Sequence, residues 1–248
     1  MKWHKRLYRR LRYRKGYGVH SPFVYNLITK IIEEKSSFYA FGEIENFRHS
    51  LLKKKDSISE ITSRETQSPA YGALLFRLAH YFKCRSILEI GASSGVMALY
   101  LAMASKQCNC RLWEPRAGLL QALQDYALTH HLQKVSCEEK DFRTLSNEKN
   151  APFDLIFINQ IADVEDEKTI WQTIRPFIDK HTVLIINDIN RNPVMQKTWK
   201  LLKNEEYART MIDIDFLGLV FFNDKLPKKQ YKAYLKNGKK QNLYKNRR

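Results

Sequence analysis

The stretch that decides the fold runs from Ile87 to Val96 and reads ILEIGASSGV. An apolar strand ends here in an acid and a glycine, and a helix begins at the second glycine. Such a turn brings backbone N–H groups close to a ligand at the carboxyl edge of a parallel sheet. Gly91 lets the chain turn, and Gly95 lets the helix start lie against the strand without a Cβ between them. The stretch therefore predicts a nucleotide-like ligand.

A second acid lies about twenty residues further on, in Leu112-Trp113-Glu114-Pro115. Glu114 ends the next predicted strand, where a carboxylate accepts hydrogen bonds from ribose hydroxyls. The first turn has the spacing E-x-G-x-x-x-G, and Ser93 stands where the dinucleotide fingerprint G-x-G-x-x-G has its second glycine. This difference argues against NAD. After the third strand, Asp141 can accept the adenine amino group while Phe142 stacks on the ring.

The rest of the chain alternates strands and helices with short links, which predicts an α/β fold with a Rossmann-like, doubly wound, mostly parallel sheet. Turn residues between the last two β-rich segments predict a C-terminal antiparallel hairpin. Ser21-Pro22 is typical of a helix start, so we expect an N-terminal helical extension, with residues 36–64 as broken helix and loop. The predicted strands are Ser86–Ile90, Cys110–Trp113, Lys134–Glu138, Phe153–Asn159, Thr182–Asn187, Thr210–Ile214 and Gly218–Phe222.

The net charge of +17 is concentrated at the two ends of the sequence. Residues 1–35 carry +8 and residues 225–248 carry +10, so residues 36–224 carry −1. We therefore predict a basic helical extension over 1–65, a catalytic domain over 66–224 and a basic tail over 225–248. The ends suit nucleic acid or an anionic membrane surface. The alternative for the last segment is a solvated tail that cannot bury enough apolar surface to order itself.

Trp3, Leu7 and Leu11 recur at helical spacing among arginines and lysines, which predicts a basic amphipathic helix. Its apolar stripe can dock onto the catalytic domain or bind a membrane surface, and the sequence does not choose between these. No apolar run reaches the roughly 18 residues of a transmembrane helix, and the first residues lack the apolar core of a signal peptide. The four cysteines show neither zinc spacing nor a disulfide framework. We expect a cytoplasmic protein with inert thiols.

The segment Glu89–Gly95, taken with Glu114 and Asp141, resembles the cofactor loop of class I S-adenosylmethionine-dependent methyltransferases. The resemblance covers about Thr66 to Phe222. Gln67-Ser68-Pro69 and the L-E-I-G-x-S-x-G form of the loop are similar to small-molecule O-methyltransferases of the catechol and caffeoyl-CoA type, and the stretch from Gly16 to Phe23 resembles a bacterial branch of these enzymes. The resemblance implies S-adenosylmethionine as cofactor, held by Glu89, Gly91, Ala92, Ser93, Gly95, Glu114, Asp141 and Asn159. Alone, Glu89 and Glu114 also fit solvated acids at strand ends.

The metal-dependent relatives hold a divalent cation with an aspartate after the fourth strand and an Asp-Asn pair after the fifth. This chain has Asn159 at the first place and Asn187-Asp188 at the second. Because a hard cation prefers carboxylate oxygen and only Asp188 supplies it, we expect no catechol-type metal site. Asp188 then fits a general base, although it can instead cap the turn before Pro193. His20 is a second candidate base, and its alternative role is structural.

These observations predict a methyltransferase that acts on a small-molecule acceptor, most simply at oxygen. RNA methylation is an alternative, since aromatic residues lie among the basic residues of both ends. The N-P-P-Y tetrapeptide of nucleic-acid enzymes is nevertheless absent, because the corresponding place reads Asn159-Gln160-Ile161-Ala162. A further alternative is a catalytically inactive protein that keeps the cofactor fold and docks to a membrane or nucleic acid through its basic ends. The sequence leaves the acceptor and the oligomeric state open.

Overall fold

The computed structural model describes residues 3–132, 134–147, 151–161 and 166–236. The helices are α1 (Trp3–Arg12), α2 (Pro22–Leu27), α3 (Tyr39–Lys53), α4 (Ser57–Glu65), α5 (Pro69–Tyr81), α6 (Val96–Ala102), α7 (Gln121–Thr129), α8 (Glu167–Ile174) and α9 (Pro193–Asn204). The strands are β1 (Ser86–Ile90), β2 (Asn109–Trp113), β3 (Val135–Glu138), β4 (Leu155–Ile158), β5 (Val183–Ile186), β6 (Thr210–Ile214), β7 (Leu217–Phe221) and β8 (Lys229–Lys232). Within the described residues, no helix has the length and apolarity needed to cross a membrane.

The chain divides into two compact units, whose described parts are residues 36–144 and residues 3–35 with 145–236. In the first unit, β3, β2 and β1 pair in parallel, with Glu89 opposite Leu112 and Leu112 opposite Cys137. The strand β1 is almost wholly buried, as a parallel strand covered on both faces should be. The unit also contains helices α3 to α7.

Helices α3 and α4 replace the loop-rich segment that the sequence predicts for residues 36–64. Ile44, Phe47 and Leu51 form a buried stripe along α3, although charged residues between them obscure the period. Asp56 caps α4, because its carboxylate accepts a hydrogen bond from Ser59 N at 2.9 Å. The prediction of broken helix and loop is therefore wrong for most of this segment.

In the second unit, β4 and β5 are parallel, and β7 pairs antiparallel with both β5 and β6. The turn between β6 and β7 passes through Asp215, whose φ of +69° is left-handed. With parallel pairing within β1–β3 and between β4 and β5, and with this antiparallel hairpin, the predicted fold class is confirmed. The strand β8 pairs in parallel with β6 and lies inside the segment predicted as a tail. Composition did not predict it, because an edge of β6 supplies backbone partners that only the fold reveals. Residues 237–248 lie outside the described residues.

The predicted helix start at Ser21-Pro22 is confirmed. Ser21 Oγ accepts a hydrogen bond from Val24 N at 3.4 Å, and Pro22 occupies the first helical position. A π-helical segment, Ile28–Ile32, continues α2. It extends the buried stripe that begins with Val24 and Leu27. Phe23 packs edge to face on Phe221, with ring centroids 5.1 Å apart.

Helices α5 and α6 pack closely because α5 carries a glycine at their contact. A Cβ on Gly72 would lie 2.3 Å from Tyr100 Cε2. The Tyr100 ring has no room to retreat, since it is buried and its hydroxyl donates a hydrogen bond to Glu45 Oε1 at 2.8 Å. Burial is the first cause that raises the pKa of Tyr100, and the charge of Glu45 is the second.

We expect Gly72→Ala to destabilise the protein by about 1–3 kcal/mol, because the methyl group overpacks the Tyr100 contact. The matched control is Gly42→Ala on α3, where an added Cβ meets nothing within 4 Å. This control should stabilise the helix by about 0.5–1 kcal/mol. Urea unfolding followed by circular dichroism measures both, and a Gly72→Ala protein that unfolds at the wild-type urea concentration contradicts the prediction.

Candidate functional site

Backbone hydrogen bonds join the loop after β1 to the last residue of β2. Gly91 N and Ala92 N donate hydrogen bonds to the carbonyl oxygen of Trp113 at 2.8 and 3.2 Å. Gly91 and Gly95 have φ values of +72° and +78°, which a glycine adopts without strain. Ser93 adopts +55°, an uncommon conformation for a residue with a side chain. The loop is thus a constrained turn, and its interactions must compensate for the strain at Ser93.

Gly95 serves a different packing contact from the one that the sequence predicts. It caps α6 with left-handed backbone, and a Cβ there would lie 2.4 Å from Leu123 Cδ2 of α7. The absence of a side chain at Gly95 therefore allows α7 to approach the start of α6, whereas the sequence predicts that it allows the strand to approach.

Glu114 directly follows β2 and is 1% exposed. Its Oε2 accepts from Ser93 N at 2.7 Å and from Arg116 Nη2 at 3.0 Å. Its Oε1 accepts from Arg116 Nε at 2.6 Å and from Arg116 N at 3.2 Å. A carboxylate has about four acceptor positions, so these donors saturate it. The acid and the glycine loop are joined directly, as the sequence predicts for one cofactor site.

A second buried carboxylate, Glu65 at the end of α4, completes this cluster. It accepts from Ser93 Oγ at 2.9 Å and from both terminal nitrogens of Arg116 at 2.9 Å. Burial by itself raises the pKa of Glu65, but the hydrogen bonds from Arg116, Arg64 and Ser93 lower it below the usual value of 4.5. Hydrogen bonding to Glu114 is the first cause that raises the pKa of Arg116. Glu65 is therefore charged at neutral pH.

Glu65 and Arg116 are the site residues that the sequence analysis missed. Arg116 lies two residues after Glu114, so its closeness in the sequence could have indicated that it contacts this acid. Glu65 lies 49 residues before Glu114 and ends a helix that the sequence did not clearly predict. Only the tertiary fold brings these groups together.

Glu89 is completely buried within β1, one residue before the strand ends. Its charge contributes to the chemistry of nearby thiols. Burial is the first cause that raises the pKa of Cys110 well above its usual value, followed by Cys108 and Glu89. Burial, Glu138 and Glu89 raise the pKa of Cys137 to about 11. These two thiols therefore stay protonated at neutral pH, which disfavours nucleophilic roles.

Asp141 precedes a 3₁₀ turn, Phe142–Asn147, in the same unit as the loop. Its carboxylate accepts from Arg143 N at 2.7 Å and from Arg143 Nη2 at 2.7 Å. The side-chain hydrogen bond from Arg143 is the main cause that lowers the pKa of Asp141. Phe142 is buried, so little of its ring is available for the predicted stacking.

The structure places Asn159, Asn187 and Asp188 in the second unit, at the carboxyl ends of β4 and β5. Asn187 Nδ2 donates to Asn159 O at 3.0 Å and to Asn159 Oδ1 at 3.1 Å. Asp188 has a φ of +54°, and its carbonyl oxygen accepts from Arg191 N and Asn192 N at 3.0 Å. Within the described residues, the buried Oδ1 of Asp188 has no hydrogen-bond partner. The carboxylate is therefore not used as a cap, and Asn192 instead caps α9.

These residues do not fit the divalent-cation site of the catechol-type enzymes. Asp188 supplies the one carboxylate among Asn159, Asn187 and Asp188, whereas hard cations favour several anionic oxygens. The side-chain oxygen of Asn159 already accepts a hydrogen bond from Asn187. In the described parts of the chain, no group of three or more His, Cys, Asp or Glu residues has a geometry suited to a metal ion.

His20 lies in the second unit, immediately before the capping residue Ser21. Its side chain is exposed. The structure thus shows a solvent-accessible imidazole beside a helix start, and its predicted role as a base remains a prediction.

We expect Glu65→Gln to cost about 1–3 kcal/mol of stability at neutral pH, because hydrogen bonds to a charged group are lost. Since the pKa of folded Glu65 lies below 4.5, its stabilisation is present above the unfolded pKa and disappears as pH falls through the folded pKa. The difference from wild type should therefore shrink between about pH 7 and about pH 3 in urea unfolding. Glu60→Gln, an exposed acid on α4, is the control and should change little. An equal cost of Glu65→Gln at both pH values contradicts the prediction.

Comparison with known proteins identifies the domain that carries this loop. Residues 88–189 match a family model described as a methyltransferase domain. No curated protein sequence matches the chain at a significant level. Among solved structures, the SAH-bound methyltransferase PaMTH1 of Podospora anserina has a TM-score of 0.61 at 14% identity, covering 82% of this chain and 97% of that chain.

Two O-methyltransferases are similar to the chain at the same level. The Bacillus cereus enzyme in complex with SAH has a TM-score of 0.57 at 18% identity, over 80% of this chain and 97% of that chain. TomG of Streptomyces achromogenes, solved with SAM, has a TM-score of 0.58 at 16% identity, over 81% of this chain and 95% of that chain. These structures share the fold, and the domain match lies on the predicted cofactor loop. The predicted methyltransferase class is confirmed by the match of residues 88–189 to a methyltransferase domain.

Proposed function

We propose that this protein transfers the methyl group of S-adenosylmethionine to an oxygen of a small-molecule acceptor. The observation that carries the proposal is the direct hydrogen bond between Glu114 and the glycine loop, through Ser93 N at 2.7 Å. A buried acid joined to such a loop suits a ribose next to a backbone-lined turn. The solved O-methyltransferases with the same fold, including TomG, which takes part in tomaymycin synthesis, support a small acceptor.

Each predicted cofactor residue has a chemical role in this proposal. Glu114 accepts hydrogen bonds from the ribose hydroxyls, and Asp141 accepts from the adenine amino group. Glu89 pairs with the cationic amino group. Gly91, Ala92, Ser93 and Gly95 form the backbone turn, and Asn159 remains a proposed contact.

Arg116 must release at least part of Glu114 before a ribose can bind there. All of the acceptor positions of Glu114 are filled by protein donors, and three of those hydrogen bonds come from Arg116. The guanidinium can move while keeping its charge paired, because Glu65 binds its two terminal nitrogens. We infer that cofactor binding and the Arg116 contact to Glu114 compete.

The cofactor supplies a methyl group on a sulfonium, which leaves by in-line displacement. The task of the protein is mainly alignment of the acceptor oxygen, with a base where that oxygen carries a proton. Asp188 is the proposed base, because its Oδ1 has no partner within the described residues and its backbone conformation is strained. His20 is the second candidate.

We also propose a cytoplasmic location. The four cysteines form no disulfide within the described residues. Such thiols are usual in a reducing compartment. RNA methylation and a catalytically inactive cofactor-fold protein remain the alternatives, and the turnover experiment below separates them.

Titration calorimetry should show opposite effects of two substitutions on S-adenosylmethionine binding. Glu114→Ala should weaken binding at least about tenfold, because two hydrogen bonds to a charged acceptor are lost. Arg116→Ala should strengthen binding severalfold, because the competing donor is removed. Glu139→Ala, an exposed acid near the same sheet edge, is the control. Unchanged affinity in Glu114→Ala, with the protein folded, contradicts the cofactor assignment, and weaker binding in Arg116→Ala contradicts the competition.

A turnover screen against phenols, other small hydroxy compounds and RNA tests the acceptor. We expect methyl transfer to a small hydroxy compound, insensitive to a chelator, with kcat reduced by about 10²-fold or more in Asp188→Asn. Transfer to RNA alone would favour the RNA alternative. Cofactor binding without turnover on any of these classes would favour the inactive protein.

A further inference from the structure

Within the second unit, the side chain of Arg9 joins α1 to β6. Arg9 Nη1 and Nη2 donate to the two carboxylate oxygens of Asp213 on β6 at 3.0 and 2.8 Å. Both side chains are largely buried, with exposed fractions of 13% and 15%. A bidentate arginine–carboxylate pair fixes orientation as well as distance. The face of α1 that carries Arg9 is therefore the face that contacts the protein.

The apolar residues of α1 lie on its opposite side. At about 100° per residue, Leu7 and Leu11 share a face, and Arg9 lies roughly 160–200° away from both. Leu7 is 43% exposed and Leu11 is 74% exposed. A surface helix normally buries its apolar stripe against the protein. Here the polar face is docked, and Leu7 and Leu11 are exposed rather than buried against the protein.

Cationic and aromatic side chains flank the exposed leucines. Arg10 and Arg12 are exposed on either side of the stripe, and Tyr8 is also exposed. We call Leu7, Tyr8, Arg10, Leu11 and Arg12 the α1 surface.

We propose that the α1 surface binds an anionic phospholipid membrane, with Leu7 and Leu11 entering the interface between headgroups and acyl chains. The arginines then lie at the level of the phosphates, and Tyr8 occupies the headgroup region, as in interfacial amphipathic helices. Charge complementarity selects anionic lipid, because each basic residue near such a surface adds attraction. This inference is independent of the proposed methyl transfer.

A nucleic acid fits the same surface less well. Phosphates satisfy the arginines, and bases can stack on Tyr8, but neither gives an apolar environment to two exposed leucines. An interfacial helix uses both kinds of side chain at once. The exposed leucines therefore favour an anionic membrane over a nucleic acid.

The test is flotation of the full-length protein with vesicles of equal parts phosphatidylglycerol and phosphatidylcholine, compared with vesicles of phosphatidylcholine alone. We expect binding to the anionic vesicles, weakened by added salt. Leu7→Ser with Leu11→Ser should weaken it by about tenfold or more. Arg10→Gln with Arg12→Gln should weaken it by about fivefold per arginine. Leu128→Ser, at an exposed leucine of α7, is the matched control and should bind as wild type.

Because both leucines of α1 are exposed, their substitution should leave the thermal unfolding midpoint unchanged, so a loss of vesicle binding cannot reflect unfolding. The proposal is overturned if the wild-type protein does not float with anionic vesicles, or if the leucine double variant floats equally well. It is also overturned if light scattering shows a dimer that the leucine substitutions dissociate, since a second copy would then occupy the surface. Binding of single-stranded RNA that depends on the leucines as strongly as vesicle binding does would likewise overturn it.

Discussion

The cluster of Glu65, Glu114 and Arg116 is the interaction on which the geometry of the loop depends. Two carboxylates that are almost completely buried share one guanidinium, and both also hold Ser93. Burial of either acid without a partner would be costly, and removal of one partner from such a group costs more than the group itself contributes. The charges therefore enforce one arrangement of the turn. The left-handed backbone of Ser93 is maintained by two hydrogen bonds to acids that lie far from it in the sequence.

This arrangement suits the proposed cofactor binding because the protein itself holds the donors and acceptors in place. The loop amides of Gly91 and Ala92 are already used on Trp113, so the turn keeps its shape without a ligand. Preorganisation lowers the ordering cost of binding. The same network has an opposite effect on Glu114 in its proposed role toward ribose, since Arg116 fills three of its acceptor positions. In that proposal one side chain both stabilises the loop and competes with the ligand.

The second unit shows the same contrast between backbone and side-chain roles. Asp188 uses its carbonyl oxygen to form the turn after β5, and Asn192 caps the next helix, so the carboxylate of Asp188 has no structural task within the described residues. In α1, Arg9 forms the ion pair with Asp213, and Leu7 and Leu11 remain exposed to solvent. Asp188 and the leucines of α1 occupy the positions that the sequence predicts. Their contacts in the folded protein decide which of their atoms remain available to a ligand or a surface.

The sequence by itself determined the order of strands and helices, the position of the glycine turn, and the acids at the ends of β1 and β2. These features follow from local periodicity and from the backbone freedom of glycine, both of which are properties of short segments. It also determined the domain class, since the spacing from Glu89 to Gly95 and the position of Glu114 are local. Only the tertiary structure decided that Glu65 joins Glu114, that β8 continues the sheet beyond the last predicted strand, and that α1 turns its leucines outward. The first depends on partners many residues apart, the second on an available strand edge, and the third on the carboxylate of Asp213. A local sequence pattern does not predict such contacts.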